Sequence, residues 1–417
     1  PDNISPDSVP ERDTWMSIYQ KERKIGYSHK TFFKEETGFT VQETLFMRIN
    51  TMGMIQDIHL NTTGRLHPDF TLSEIDFKIN SGRFSFSTHG RVDGKVLAVR
   101  TESAGAEQKF KVKLKRRPFL VAGLVDAVGA YGLKPGDRIA FNIFDPVSMG
   151  QEPVNVSVVD QEIIRIMGTG HKATKVLLNF KGANQFAWIG ENGEILKEKG
   201  LLGIRLEKTT RADAISDFQF ASSEDLTRIA SISSNVTLEN LDTLEQVTVK
   251  ISGIDVGLVQ LHGGRQTLAG NILTIRRESL TDLAPNLAGD DLNLLEKIFL
   301  TPGPFIQSDH EKIQQLIGEI LQNGDGTPLN KAKKLIHWIH VNIEKRPVLS
   351  LPDALSTLEN KVGDCNEHAV LLAAMARAAG IPARIETGLV YMHGRFYYHA
   401  WNLLYLGEWI TADAVLD

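Results

Sequence analysis

The chain has 417 residues, 42% of them apolar and 23% charged, with a net charge of -5 and a single cysteine, Cys365. This length exceeds one ordinary hydrophobic core, so two or three domains are expected. The acidic balance argues against a nucleic-acid surface, the lone cysteine excludes an internal disulfide, and no run of 18 or more apolar residues marks a membrane span.

Pro1 to Pro10 (PDNISPDSVP) is polar and proline-rich and reads as part of a loose leader over residues 1–13. The chain opens on proline rather than methionine. That leaves room for a removed secretory segment, and a periplasmic or otherwise exported location is the expectation. Residues 14–215 read as strand after strand. RFSFS, from Arg83 to Ser87, alternates with the period of a half-buried strand. Asp93-Gly94 and Asn192-Gly193 lie between apolar runs and are candidates for two-residue hairpin turns. The most apolar window, Pro118 to Leu133, contains Asp126 and several glycines, and a buried helix is expected near Leu120 to Tyr131. Residues 225–290 carry further strands (QVTVKIS, NILTIRR) and read as a smaller β unit.

The pattern changes after residue 290 to a separate α+β domain over residues 291–417. In SDHEKIQQLIGEILQNG the spacing predicts a helix with Ser308 and Glu311 as a capping box. Ile313, Leu316, Ile317, Ile320 and Leu321 share one face, and Asn323-Gly324 is the stop. TPLNKAKKLIHWIHVNI follows, with Thr327 as cap and Pro328 at the first helical position. Pro352 to Asn360 is a further short helix.

Cys365 stands in VGDCNEHAVLLAAMARAAGIPAR, between a Gly-Asp turn and a helix rich in alanine and leucine. Asp364 is the expected N-cap, with Glu367 three residues on, and Gly380 and Pro382 end the helix. A thiol at the first helical position faces converging N–H groups and the positive end of the dipole, which favour thiolate. The polar flanks suit an exposed helix start rather than a core. A nucleophilic thiol also needs a base and a group to orient that base. Downstream, ARIETGLVYM turns at His393-Gly394 into RFYYHAWNLLYL, which turns near Gly407 into WITADAV. A two-residue loop at Gly407-Glu408 would set Asp413 on the opposite face from His399. A three-residue loop, Leu406 to Glu408, pairs Trp401 with Asp413 and brings carboxylate and imidazole onto one face as diagonal neighbours. The second register is the expected one.

Together, the G-x-C-x-E helix start, the helix ending in GIPAR, the H-A-W strand and the W-x-x-x-D strand resemble the transglutaminase-like superfamily of papain-like thiol enzymes. The resemblance covers about Thr301 to Asp417. It implies Cys365 as nucleophile, His399 as base and acid, and Asp413 as orienting carboxylate. The β-rich region ahead of this domain is similar to that of large bacterial cell-envelope members. The chain departs from the family in Ala414, where proline commonly follows the aspartate. The fold class expected is thus a mainly antiparallel β region followed by an α+β papain-like domain.

The activity implied is cleavage of peptide or side-chain amides through a thioester, with water or an amine as acceptor. The alternative is a catalytically idle transglutaminase-like module in a binding or scaffold protein. No cofactor or metal is expected. His368 reads as a packing or surface residue rather than a base, and Trp338, which could offer an indole donor, reads as core on its amphipathic helix. His337 and His340 lie three apart but lack further ligands, and Asp290-Asp291 lacks the regularly spaced oxygens of a calcium loop. Partners are peptide or protein substrates, with envelope peptides suggested by the resemblance.

Overall fold

The computed structural model describes residues 9–216, 223–280, 298–322 and 326–416. Pro1 to Ser8, Asp290-Asp291 and Asn323-Gly324 lie outside these. Contacts divide the chain between Ile229 and Ala230, with Pro347–Leu351 grouped with the first unit.

The first unit is one large sheet. β1 (Arg12–Gln20), β2 (Arg23–Glu35), β3 (Gly38–Thr51), β4 (Met54–Leu66), β5 (Leu72–Ser81), β6 (Phe84–Asp93), β7 (Val96–Ser103) and β8 (Ala106–Lys113) pair in turn as an antiparallel meander. A second run follows: β9 (Phe119–Leu120), β10 (Arg138–Asp145), β11 (Gly150–Ile166), β12 (Thr169–Phe180), β13 (Ala183–Gly190), β14 (Ile195–Lys199) and β15 (Ile204–Thr209). β1 pairs with β15, joining the runs into a sheet of 15 described strands. β1 begins at Arg12, inside the span expected as leader. The alternation seen in RFSFS is realised, with Phe84 and Phe86 buried and Ser85 exposed.

The sheet also curls back on itself. Thr71, at the entrance to β5, bridges Phe119 of β9, and Leu72 N–H donates to Pro118 O at 2.7 Å. The expected helix is α1 (Val121–Ala130), which packs against β3, β4, β9 and β10. Gly64 makes room for the chain entering it, since a Cβ there would stand 2.3 Å from Leu120 Cδ2. The adjoining core holds Phe32, Phe39 and Phe70, with ring centroids 5.0 Å and 4.9 Å apart along the stack. Each such buried ring contributes about 1.5–3 kcal/mol relative to exposure. Asp126, 2% exposed, is held by Arg12 Nη1 at 2.7 Å and Lys30 Nζ at 2.5 Å.

Asp93 and Val96 pair directly, so Gly94-Lys95 forms a two-residue turn with Gly94 at φ +57°. Asn192-Gly193 behaves differently from expectation. Gly190 N–H donates to Glu194 O, which encloses three residues, and Gly193 takes the left-handed position at φ +76°. The extra residue fits the common three-residue hairpin in which glycine supplies the left-handed turn.

The second unit combines helices with small sheets. β17 (Gln246–Lys250), β18 (Gln266–Ala269) and β19 (Ile272–Arg276) form a three-stranded sheet in the span expected as a smaller β unit. Four helices follow: α2 (Glu311–Leu321), α3 (Pro328–Asn342), α4 (Ala354–Asn360) and α5 (Cys365–Ala378). β16 (Ile232–Ser233), β22 (Ala383–Met392), β23 (Arg395–Tyr405) and β24 (Trp409–Ala412) form a four-stranded sheet, and β20 (Glu344–Lys345) pairs with β21 (Val362–Gly363).

The start of α2 corrects the capping expectation. His310 is the N-cap, with Nδ1 accepting from Lys312 N–H at 3.3 Å. Ser308 is buried at 4% exposure, and its N–H donates to Ile306 O. The local turn consumes the residue that would have capped. α4 starts at Ala354, not Pro352, because Asp353 caps it through Ser356 N–H at 2.9 Å. α2, α3 and α4 all contact α5 or its neighbours, and α5 lies against β22 and β23.

Candidate active site

α5 begins as its sequence requires. Asp364 Oδ1 accepts from Asn366 N–H at 3.0 Å, and Glu367 Oε2 accepts from Asp364 N–H at 2.9 Å, completing a capping box. Gly363 permits this closure, because a Cβ there would stand 2.2 Å from Glu367 Cβ. Gly380, at φ +78°, ends the helix, and Ile381 N–H returns to Ala376 O at 2.8 Å. This places Cys365 at the first helical position. Its own N–H has no partner among the described residues and remains a free donor.

The start of α5 is not the exposed surface that the flanks suggested. Glu367 and His368 are 2% and 1% exposed, and Cys365 is half-buried. His368 Nδ1 lies 2.7 Å from Asp364 O, and burial lowers its pKa. It is therefore a neutral packing residue. Tyr398 reaches the same turn, donating its hydroxyl to Asn366 Oδ1 at 2.8 Å. Burial, and then the nearby Cys365, raise the Tyr398 phenol to about 12, so it stays a donor.

β22 and β23 join at His393-Gly394, both with positive φ, as a two-residue turn. β23 and β24 pair Asn402 with Ala412 and Tyr405 with Trp409, leaving Leu406 to Glu408 as a three-residue loop. Continued one step, this register sets Trp401 opposite Asp413. The carboxylate and imidazole then meet, with His399 Nε2 2.6 Å from Asp413 Oδ2. His399 is 8% exposed. Burial opposes ionisation of Asp413, but the His399 hydrogen bond and charge, with N–H groups of Val415 and Leu416, hold its pKa below the usual value. With Nε2 engaged, Nδ1 is the ring nitrogen left for chemistry. The backbone N–H of Ala400, next on the strand, favours the Cys365 thiolate, and α5, which begins at the thiol, lies against this strand.

The thiol departs from the helix-dipole expectation. Burial first, then the carboxylate of Asp364, with smaller contributions from Glu367 and Asp413, push Cys365 up to about 12 against the Ala400 N–H. Desolvation disfavours the thiolate more than one helix terminus favours it. At neutral pH the group is therefore held toward its protonated form.

Other candidates fall away from the centre. Trp338 is half-buried on α3, and its carbonyl accepts from Asn342 Nδ2. His337 is exposed, while His340 faces Lys345 Nζ at 3.0 Å, a cation where a metal would need an open ligand. Trp401 lies on the aromatic strand that the sequence singled out, and sequence reasoning missed two further residues that border the centre, Arg265 and Glu278. Trp401 stacks beside His399 at 6.2 Å and 27°. Arg265, from the small sheet, lies over Trp401 at 5.9 Å. Glu278 accepts from both the N–H and hydroxyl of Thr411 at 3.0 Å and 3.1 Å, covering the outer edge of β24 two residues before Asp413. The last two come from more than 100 residues upstream and carry no local signal.

Residues 315–414 match the transglutaminase-like superfamily model. No match was found among curated proteins. Three solved structures are similar in part. A β-barrel-like protein of a domain of unknown function from Brucella abortus aligns at 11% identity and TM-score 0.38, over 48% of this chain and 96% of its own. A candidate cysteine protease from Cytophaga hutchinsonii aligns at 22% identity and TM-score 0.27, over 41% of this chain and 65% of its own. A further protein, from Pseudomonas aeruginosa, aligns at 14% identity and TM-score 0.26, over 40% and 87%. At these scores the structural likenesses carry no functional argument. The chain thus joins a large antiparallel β-rich region to a domain of the transglutaminase-like superfamily at residues 315–414.

Proposed function

We propose that the protein is a thiol-dependent amidase or peptidase that works through Cys365, His399 and Asp413. The observation that carries this reading is the buried His399–Asp413 hydrogen bond of 2.6 Å on β23, the strand against which the helix beginning at Cys365 packs. Asp413 holds the ring so that Nδ1 is presented, and stabilises the cation that forms. His399 Nδ1 takes the thiol proton as sulfur attacks the amide carbonyl, and the carbonyl oxygen becomes an oxyanion. The free N–H of Cys365 is one donor for it. The C–N bond then breaks, His399 returns its proton to the leaving amine, and a thioester remains. Water, deprotonated by His399, releases the acid and restores the thiol. An amine in place of water gives transamidation by the same steps.

Burial and the nearby carboxylates oppose the thiolate, so base assistance by His399 is part of this reading. Peptide amides are the substrate class suggested by the superfamily. The test is trapping of the acyl-enzyme: incubation with an activated peptide ester, acid quench and intact mass. A thioester mass on the wild-type chain, absent from Cys365→Ala and strongly reduced in His399→Ala, is expected. A thiol that forms no acyl adduct with any activated ester would refute the reading in favour of an idle module.

A further inference from the structure

We propose that Arg265 and Trp401 form a subsite for a carboxylate on the substrate, two to three residues from the scissile amide. The inference rests on the thiol-amidase reading above and names the substrate chemistry of that same site.

Trp401 follows His399 by two positions on β23 and stacks beside its ring at 6.2 Å. The indole lies across β22 where Gly388 has no side chain, since a Cβ at Gly388 would stand 2.6 Å from the Trp401 ring. A side chain there would push the indole off the sheet. Arg265 sits at the entrance to β18 and places its guanidinium 5.9 Å from the Trp401 centroid. It makes no side-chain hydrogen bond and no ion pair among the described residues. Its backbone is pinned instead, the carbonyl accepting from Arg276 N–H at 2.9 Å. The chain leaving β19 is anchored as well, through Glu278 on Thr411 of β24. The backbone carrying Arg265 is therefore anchored at both ends of the small sheet, while the guanidinium donors have no partner among the described residues.

A half-buried guanidinium over an aromatic face retains its five N–H donors in a fork suited to a carboxylate. The carboxylates of Asp364, Glu367 and Asp413 all oppose a negative charge at the thiol. An acidic substrate group is therefore disfavoured next to the sulfur and favoured at the guanidinium. One cation–ring contact of 5.9 Å and one ring-to-ring contact of 6.2 Å separate that guanidinium from the His399 imidazole. An extended peptide covers ~3.3–3.6 Å per residue, so a carboxylate two to three residues from the scissile bond spans the gap.

The test uses pairs of peptidyl acyloxymethyl ketones that alkylate the thiol and differ only in Glu against Gln at the second or third residue. The readout is the ratio of inactivation rates, anionic over neutral, on the full chain. A ratio of about ten is expected for the wild type, the size of one partly screened charge-assisted hydrogen bond. Arg265→Met should bring the ratio to about one, Arg265→Lys should keep it above one, and Arg265→Glu should bring it below one. Labelling of Cys365 with no preference for charge in the wild type, or a ratio indifferent to Arg265, would overturn the subsite while leaving the thiol chemistry standing. Absence of His399-dependent labelling by the neutral probes would overturn both.

Discussion

Replacing His399 with alanine isolates the thiol from its base and exposes what the site alone does to it. None of the groups that raise Cys365 is removed by this change: burial, Asp364, Glu367 and Asp413 all remain. The thiol is therefore expected to stay at about 12, the value these groups give it in the wild type. At pH 7 it is ionised to roughly one part in 10⁵, against a few parts per hundred for a free cysteine with pKa ~8.5. Alkylation by iodoacetamide should accordingly run about a thousandfold slower than for free cysteine. It should rise about tenfold with each pH unit from 7 to 10 without levelling. The wild type, with the base in place, should react faster at neutral pH. The assay is the second-order alkylation rate between pH 5 and 10, followed by intact mass. A His399→Ala chain that titrated near 8.5 with free-cysteine rates would refute the claim that desolvation outweighs the helix terminus.

Asp413→Asn keeps the size of the orienting group and removes its charge. Loss of a charge-assisted hydrogen bond of ~1.5–3 kcal/mol should slow acylation about 10- to 150-fold, read by stopped-flow with the activated ester. Because the folded pKa of Asp413 is depressed, the stabilisation it gives is present above the unfolded value of ~3.9 and lost as pH falls below it. Melting curves of wild type and Asp413→Asn should therefore converge at low pH. Asp364→Ala removes the cap of α5 and should cost about 1 kcal/mol by denaturant titration; in a His399→Ala background it should also speed alkylation, since one carboxylate opposing the thiolate is gone. Gly388→Ala forces its Cβ into the Trp401 ring and should cost about 1–3 kcal/mol, with a change in tryptophan emission. In the β-rich unit, burial and the neighbouring Glu43 raise Glu198 to about 7. A raised carboxyl gives stability that is full below its unfolded value of ~4.3 and is lost as pH rises through the folded value, so Glu198→Gln should melt higher than wild type at pH 8.5 and similarly at pH 4.

The parts of this protein legible in the sequence are those governed by neighbours along the chain. The capping box at Asp364 and Glu367, the stop at Gly380, the His393-Gly394 turn and the register of the last hairpin all depend on residues within a few positions of one another. Backbone hydrogen bonding and glycine conformation are local physics, and a linear pattern specifies them. Even there a local rule can be outbid, as at Ser308, whose burial in a turn hands the cap to His310. The tertiary structure alone decided the ionisation of Cys365. The field at the sulfur sums burial and carboxylates from α5 and the chain beyond β24, and desolvation is a property of the packed site that no single stretch encodes. It likewise decided that Arg265 and Glu278 of the small sheet stand against strands more than a hundred residues away, and that Thr71 meets Phe119 to curl the large sheet. Electrostatics and long-range pairing arise only when distant segments share space.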